Sequence, residues 1–186
     1  YVSVGLAWEA DEIAIAARLL ATPPYRNAAP LVTLRFDMRD VYPASHWAVR
    51  GEAPAYETPD SDVYLEGRNL VLLTKAAVFM AREKLTRVLL GPLAGNPVPD
   101  ATPEFFGALQ RALSLGLDHS IAIEAPFASM HKAQVVTLGA QLGVPMELTL
   151  SCMQPVAGRH CGRCSKCRER RDAFIESGVE DSTEYA

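Results

Sequence analysis

All four cysteines of this chain lie in one C-terminal run, S-C-M-Q-P-V-A-G-R-H-C-G-R-C-S-K-C, as Cys152, Cys161, Cys164 and Cys167. Four thiolates satisfy a tetrahedral Zn²⁺ at about 2.3 Å and leave no open position for a substrate, so the set points to a structural ion. Helix geometry restricts the arrangement. At about 100° per residue, Cys164 and Cys167 stand about 60° apart on one helix face and can grip one ion. Cys161 would lie about 120° from Cys167, too far round, so it belongs to a preceding turn where Gly158 and Gly162 give backbone freedom. The helix is expected from about Ser165 to Ile175. Two other readings compete. Paired disulfides suit a secreted chain, but adjacent C-x-x-C pairs rarely form structural bridges. A redox C-x-x-C opens a helix in a small thioredoxin-like fold and needs no fourth thiol. Four thiolates around Zn²⁺ carry a net charge of about −2. Arg159, Arg163, Lys166, Arg168, Arg170 and Arg171 crowd the run and would offset it.

With 186 residues, 49% of them hydrophobic, the chain can bury one substantial core, and one domain is expected. A formal net charge of −4 argues against a general polyanion-binding surface, and so against stable nucleic-acid binding. No apolar run approaches the roughly 20 residues of a membrane span, and no signal peptide is visible. Reduced, metal-bound thiols fit the cytoplasm. Tyr1 opens directly into a strand-like run with no initiator Met, so the expectation is that residues precede it in the natural protein or that the chain was cut.

Strand-like and helix-like segments alternate. Tyr1–Gly5 reads as a buried strand, and Trp8 to Leu20 carries Ile13, Ala16, Ala17 and Leu20 at helical spacing. Glu9, Asp11 and Glu12 read as a solvated first helical turn, which the dipole favours. Pro30–Phe36 alternates as a second strand. A Pro- and acid-rich stretch from Tyr42 to about Asp62 is long enough to be a functional loop or lid. Asn69 is a good N-cap for a helix with Leu70, Leu73, Ala77, Met80 and Ala81 on one face. Arg87–Leu90 is a short strand, and Thr102-Pro103 signals a helix to Leu115. Ser120–Glu124 is a further strand. Ser129 is the expected cap of a helix bearing Val135, Val136, Leu138 and Leu142 and ended by Gly143. Such alternation implies a parallel sheet with helices on both faces, and sites in these α/β folds lie at the carboxyl ends of the strands.

Three loops there hold polar candidates. Arg68, in Gly67-Arg68-Asn69, is a cation at a helix N-terminus, unfavourable unless an anion joins it; a solvated arginine beside a plain cap is the other reading. The run from Gly91 to Asp100 (G-P-L-A-G-N-P-V-P-D) has a path set by its glycines and prolines, and Asn96 and Asp100 offer polar ends to a small ligand; a merely stiff connection reads as well. Lys132 is again a cation at the wrong end of a dipole, which favours a phosphate or carboxylate partner. His131 beside it reads as a surface or capping residue, because no second ligand stands at helical spacing.

The same residues carry a resemblance. G-R-N-L at Gly67–Leu70, G-x4-N-x2-P-D-x2-P-E-F at Gly91–Phe105, H-K-A-Q-V-V-x-L-G at His131–Gly139, G-V-P-M-E-L-T-L-S-C at Gly143–Cys152 and the C-x8-C-x2-C-x2-C cluster follow one another along nearly the whole chain. In that order and spacing they resemble the 7-cyano-7-deazaguanine synthase (QueC/ExsB) family of the PP-loop ATP pyrophosphatases. The resemblance implies a Rossmann-like, adenine nucleotide alpha hydrolase-like domain over residues 1–150 and a zinc-binding segment over 151–186 within the same domain. It implies an ATP-dependent carbon–nitrogen ligase using Mg²⁺. There 7-carboxy-7-deazaguanine is adenylated, ammonia displaces AMP to give an amide, and a second activation dehydrates the amide to the nitrile. Carried onto this sequence, Cys152, Cys161, Cys164 and Cys167 bind zinc, and Arg68 and Asn69 line the nucleotide or substrate site. Asn96 and Asp100 line the deazaguanine pocket, with Lys132 on a phosphate or carboxylate; Lys132 and Asp100 take the catalytic roles. A homodimer is compatible with the resemblance.

The family's phosphate loop, S-G-G-x-D-S, has no counterpart among the 186 residues; Ser3-Val4-Gly5-Leu6 lacks the second glycine, the Asp and the following Ser. The expectation is that this loop and the central strand leading into it stand upstream of Tyr1. Ala101 follows Asp100 where family members commonly carry an acidic residue and a cysteine, so base recognition is expected to differ in detail. Two further readings stand beside the ligase: a non-catalytic, zinc-stabilised relative that binds a nucleotide or purine-like ligand, and another PP-loop enzyme that adenylates a different acid or an RNA base.

Overall fold

Strand β1 (Val2–Ser3), helix α1 (Glu9–Leu20) and strand β2 (Leu34–Arg35) form a strand–helix–strand unit in the computed structural model, which describes residues 1–186. The two strands pair in parallel, Val2 with Leu34 and Ser3 with Arg35, as a helical crossover requires. The unit recurs as β3 (Arg87–Leu89), α4 (Pro103–Leu117) and β4 (Ala122–Glu124), with Arg87 opposite Ala122 and Leu89 opposite Glu124. The short helix α2 (Trp47–Arg50) and the long α3 (Arg68–Arg82) lie between the two units. Helices α5 (Lys132–Gln141) and α6 (Ser165–Ser177) follow them. The expected α/β architecture of parallel strands with interleaved helices is present, as two parallel pairs. Within the expected strand Pro30–Phe36 only Leu34 and Arg35 pair, because β1 offers a partner no longer than itself.

Helix α3 spans both units. Val71 and Leu72 in its first half pack on a cluster that includes Val4, Trp8, Met38 and Leu65. Ala77 and Met80 in its second half bury against Ile121, with Val88 and Ile123 of the second strand pair alongside. Leu73, Ala77 and Met80, at helical spacing, are its buried positions as expected, whereas Leu70, expected on the same face, is 43% exposed in the first turn and Ala81 is half-buried.

Three expected helix starts resolve differently. Thr102 caps α4 as expected, its Oγ1 accepting the Phe105 N–H at 3.1 Å. Helix α5 begins three residues after Ser129: His131 is its N-cap residue, and the Gln134 side chain accepts the His131 N–H at 2.7 Å. Gly67, at φ 71°, is the N-cap of α3, which puts Asn69 inside the first turn rather than at the cap.

Glu9 is not solvated. It is buried, and its carboxylate accepts the Val4 N–H at 2.8 Å, the Gly5 N–H at 3.1 Å and the Ser3 hydroxyl at 2.6 Å. It thereby satisfies the donors of the chain leaving β1. Glu9→Ala strands two backbone N–H groups and is expected to cost about 2 kcal/mol. A urea midpoint lowered at unchanged slope would show it, and an unshifted midpoint would remove the assigned role.

The stretch from Tyr42 to Asp62 is docked rather than free. Trp47 stacks on Trp8 at 5.8 Å between ring centroids, Ala48 is buried, and the Tyr42 hydroxyl donates to the Glu66 carbonyl at 2.7 Å.

Candidate metal centre and adjoining cleft

The four sulfur atoms converge from three local structures. Cys152 ends the extended chain that follows the tight turn Met146–Leu148. A two-residue hairpin then reverses the chain: Val156 and Arg159 exchange both backbone hydrogen bonds, at 2.9 and 3.1 Å, around Ala157 (φ 51°) and Gly158 (φ 77°). Positive φ at both central positions is what such a turn demands. Gly162, at φ 72°, turns the chain again directly after Cys161, which places Cys161 outside the helix as expected. Cys164 stands at the N-cap of α6 in extended conformation, rather than on the helix, and Cys167 lies in the first turn.

All four sulfurs lie within 4.8 Å of one another, with 3.5 Å between Cys164 and Cys167 and 3.9 Å between Cys161 and Cys167. Tetrahedral ligation at about 2.3 Å requires sulfurs about 3.8 Å apart, so the set fits Zn²⁺. These separations exceed a disulfide bond, and all four cysteines are free and buried. The Cys161 and Gln154 N–H groups each donate to the Cys152 sulfur at 3.3 Å, contacts that favour the thiolate. Four sulfurs close the coordination sphere, so the centre can hold an ion but cannot present one to a substrate.

The surroundings are tied in from the chain's end. Tyr185 packs on the cysteines, its ring 4.0 Å from the Arg171 guanidinium, and burial with the Asp181 carboxylate pushes its hydroxyl up to about 12. Burial, with Arg170 nearby, pushes His160 down to about 4; the neutral ring accepts the Ser151 N–H through Nε2 at 3.1 Å.

Against this centre lies a cleft of about 870 Å³. It is walled by the start of α3, the loop that leaves the carboxyl end of β3, the start of α5 and one face of α6. Arg68, Asn69, Asn96, Asp100 and Lys132 all line it. Asp100 is buried, and its carboxylate accepts the Asn69 backbone N–H at 2.9 Å and the Asn69 side-chain amide at 3.2 Å. It therefore supplies across space the cap that Gly67 cannot. Asn96 accepts the Val98 N–H through Oδ1 at 3.0 Å and shapes its own loop. Arg68 keeps a buried Nε with no hydrogen-bond partner, in a side chain that lines the cleft.

Lys132 already has its anion: Nζ pairs with the Glu169 carboxylate of α6. Glu169 also stands 2.5 Å from Lys166 Nζ, an ion pair without hydrogen-bond alignment, and Lys166 donates to Asp60 at 2.9 Å. Burial opposes the Lys166 charge, but Glu169 and Asp60 outweigh it and raise its pKa above the ordinary value. Glu169, Asp60 and the cleft-facing role of Lys166 were not among the sequence candidates. The only local trace was the (i, i+3) spacing of Lys166 and Glu169.

Fold and site together define an α/β protein with a cleft at the carboxyl end of β3, beside a closed four-sulfur cluster that can hold a metal ion. Residues 46–178 match the family described as "Queuosine biosynthesis protein QueC". A protein of Anaeromyxobacter dehalogenans named 7-cyano-7-deazaguanine synthase is 38% identical over 145 residues, covering 74% of this chain and 62% of the relative. One of the same name from Methanoculleus marisnigri is 42% identical over 126 residues, 66% of this chain and 56% of the relative. The chain belongs to the QueC family. It spans about three-fifths of the length of these curated relatives. No helix is long and apolar enough to cross a membrane.

Proposed function

We propose that the cleft binds a nucleotide and a 7-deazaguanine carboxylic acid, and that the protein is an ATP-dependent ligase forming 7-cyano-7-deazaguanine. The observation that carries the reading is the unpartnered, buried Arg68 Nε at the start of α3, in a cleft shared with Asp100 and Lys132. An arginine at a helix N-terminus is held there at an electrostatic cost that a phosphate or carboxylate removes.

In this reading the substrate carboxylate attacks the α-phosphorus of Mg²⁺-bound ATP, pyrophosphate leaves, and ammonia displaces AMP from the acyl adenylate. The amide oxygen then attacks the α-phosphorus of a second ATP, pyrophosphate leaves, and AMP departs with that oxygen while the nitrogen gives up its two protons, leaving the nitrile. Arg68 and Lys132 lie against the negative charge that develops on phosphate and carboxylate oxygens. The Asp100 carboxylate accepts one bond on each oxygen from Asn69 and retains lone pairs for the N–H groups of a guanine-like edge. Asn96 holds the loop that closes over the base. Residues 1–150 would contribute the nucleotide and base walls and 151–186 the metal-bearing wall of one domain. Zinc, where bound, supplies structure and no reaction step.

The test is conversion of the acid by the natural full-length protein with ATP, Mg²⁺ and ammonia, read by mass spectrometry. Arg68→Ala is expected to lower kcat/KM by about 10². Its melting temperature is expected to stay near the wild-type value, because no hydrogen bond within the chain depends on Arg68 Nε. A wild-type protein that binds the acid but releases neither AMP nor nitrile would favour the non-catalytic relative.

A further inference from the structure

We propose that Lys166 is a positioning residue through which the metal-binding turn sets the wall of the cleft. Lys166 lies between two sulfur ligands, Cys164 and Cys167, yet its side chain turns toward the cleft. Its Nζ donates to Asp60 at 2.9 Å and stands 2.5 Å from Glu169, whose other oxygen pairs with Lys132. Asp60, Lys166, Glu169 and Lys132 thus form one row of alternating charge across the cleft, and all four line it. An isolated exposed pair would contribute little. Here the shared partners are sheltered, with side-chain exposures of 26% for Lys166 and 17% for Glu169.

The backbone follows the same line. Ala55 forms an antiparallel bridge with Cys164, and the Ser165 N–H donates to the Pro54 carbonyl at 3.4 Å. Arg168 donates to the Thr58 carbonyl at 3.4 Å. The segment from Pro54 to Asp60 is therefore stitched to residues 164–168, about 110 positions later in the chain. A metal ion that holds Cys164 and Cys167 in place holds the intervening Lys166, and Lys166 in turn holds the Asp60 rim and the carboxylate that fixes Lys132. The catalytic consequence rests on the proposed function; the structural coupling does not.

Hydrogen exchange on the zinc-loaded, full-length protein separates the two. Lys166→Met is expected to keep one zinc per chain, because all four sulfur ligands remain. Amides of residues 54–62 are expected to exchange about tenfold faster, while those of α3 and α4 are unchanged. Lys166→Arg is expected to restore protection, since a cation of similar reach returns. Asp60→Asn removes the same contact from its other partner, outside the sulfur-bearing run, and is expected to loosen the same amides; it decides the matter should Lys166→Met lose its zinc. In the ligase assay Lys166→Met is expected to raise KM for ATP several-fold, and Lys166→Arg to recover it. Unchanged exchange at 54–62 in zinc-loaded Lys166→Met, or in Asp60→Asn, overturns the proposal. A wild-type protein without turnover overturns the proposed function and leaves the exchange measurement to judge the coupling.

Discussion

Chelating the metal is expected to unfold the segment from Cys152 to Tyr185 while the two strand–helix–strand units keep their structure. The physical reason is what the segment contains. Apart from Ala173 and Phe174, the buried residues of α6 are Ser165, Cys167 and Arg170, and the remainder of S-K-C-R-E-R-R-D-A-F-I-E-S is mostly charged. Little apolar area is available to offset the backbone entropy of about 1–2 kcal/mol for each ordered residue. The four buried sulfurs are the principal organising contact of the hairpin at Ala157-Gly158, the turn at Gly162 and the first turn of α6. Structural zinc supplies on the order of 10 kcal/mol in small sulfur-ligated peptides, more than the net stability of many domains. Cys164→Ser should act similarly, since it removes one ligand and leaves three thiols clustered. Limited proteolysis with and without chelator would report the result. A stripped protein with unchanged protease resistance and melting temperature would sink the structural-metal reading.

Arg170→Ala is expected to lower stability by about 3–5 kcal/mol in the zinc-loaded protein. Arg170 is buried, and its guanidinium ties two segments to α6, the turn Met146–Thr149 and the chain end at Thr183. Nε donates to the Thr183 hydroxyl at 2.6 Å, Nη1 to the Thr149 hydroxyl at 2.9 Å and Nη2 to the Met146 carbonyl at 2.9 Å. Phe174 lies 5.0 Å from the guanidinium carbon, and the Asp181 carboxylate stands 4.0 Å away. Truncation leaves a cavity, an uncompensated Asp181 and unsatisfied acceptors at once. Arg170→Lys should recover less than half of the loss, because an ammonium cannot direct donors to three sites fixed by a planar fork. Chemical denaturation in excess zinc measures both variants, and an alanine variant within 1 kcal/mol of wild type would contradict the assignment.

Arg170 also shows where sequence reading reaches its limit. By composition it belonged to a basic cluster offsetting the charge on the thiolates, but its donors go to hydroxyls and a carbonyl at the base of α6. Lys132 was read as a cation awaiting an anion, and part of that expectation is met from within by Glu169. Glu9, read as a solvated helix-start acid, is committed to the backbone leaving β1. In each case residue type announced the need for a partner, and only the fold chose it.

The sequence by itself determined whatever covalent geometry and local hydrogen bonding settle within a few residues. That covers the place of Cys161 in a turn before α6, the Thr102 cap, the buried stripe of α3 and the alternation of strands and helices. It also covered the grouping of Arg68, Asn69, Asn96, Asp100 and Lys132, through their place in ordered motifs. Only the tertiary structure decided that Asp100 caps α3 from 31 residues away, that the stretch after Tyr42 docks on Trp8, and that Lys166 meets Asp60 across 106 residues. Local periodicity carries no record of such pairings, because a long charged side chain can satisfy itself with many partners. The partner it takes is the one that chain packing brings within about 3 Å.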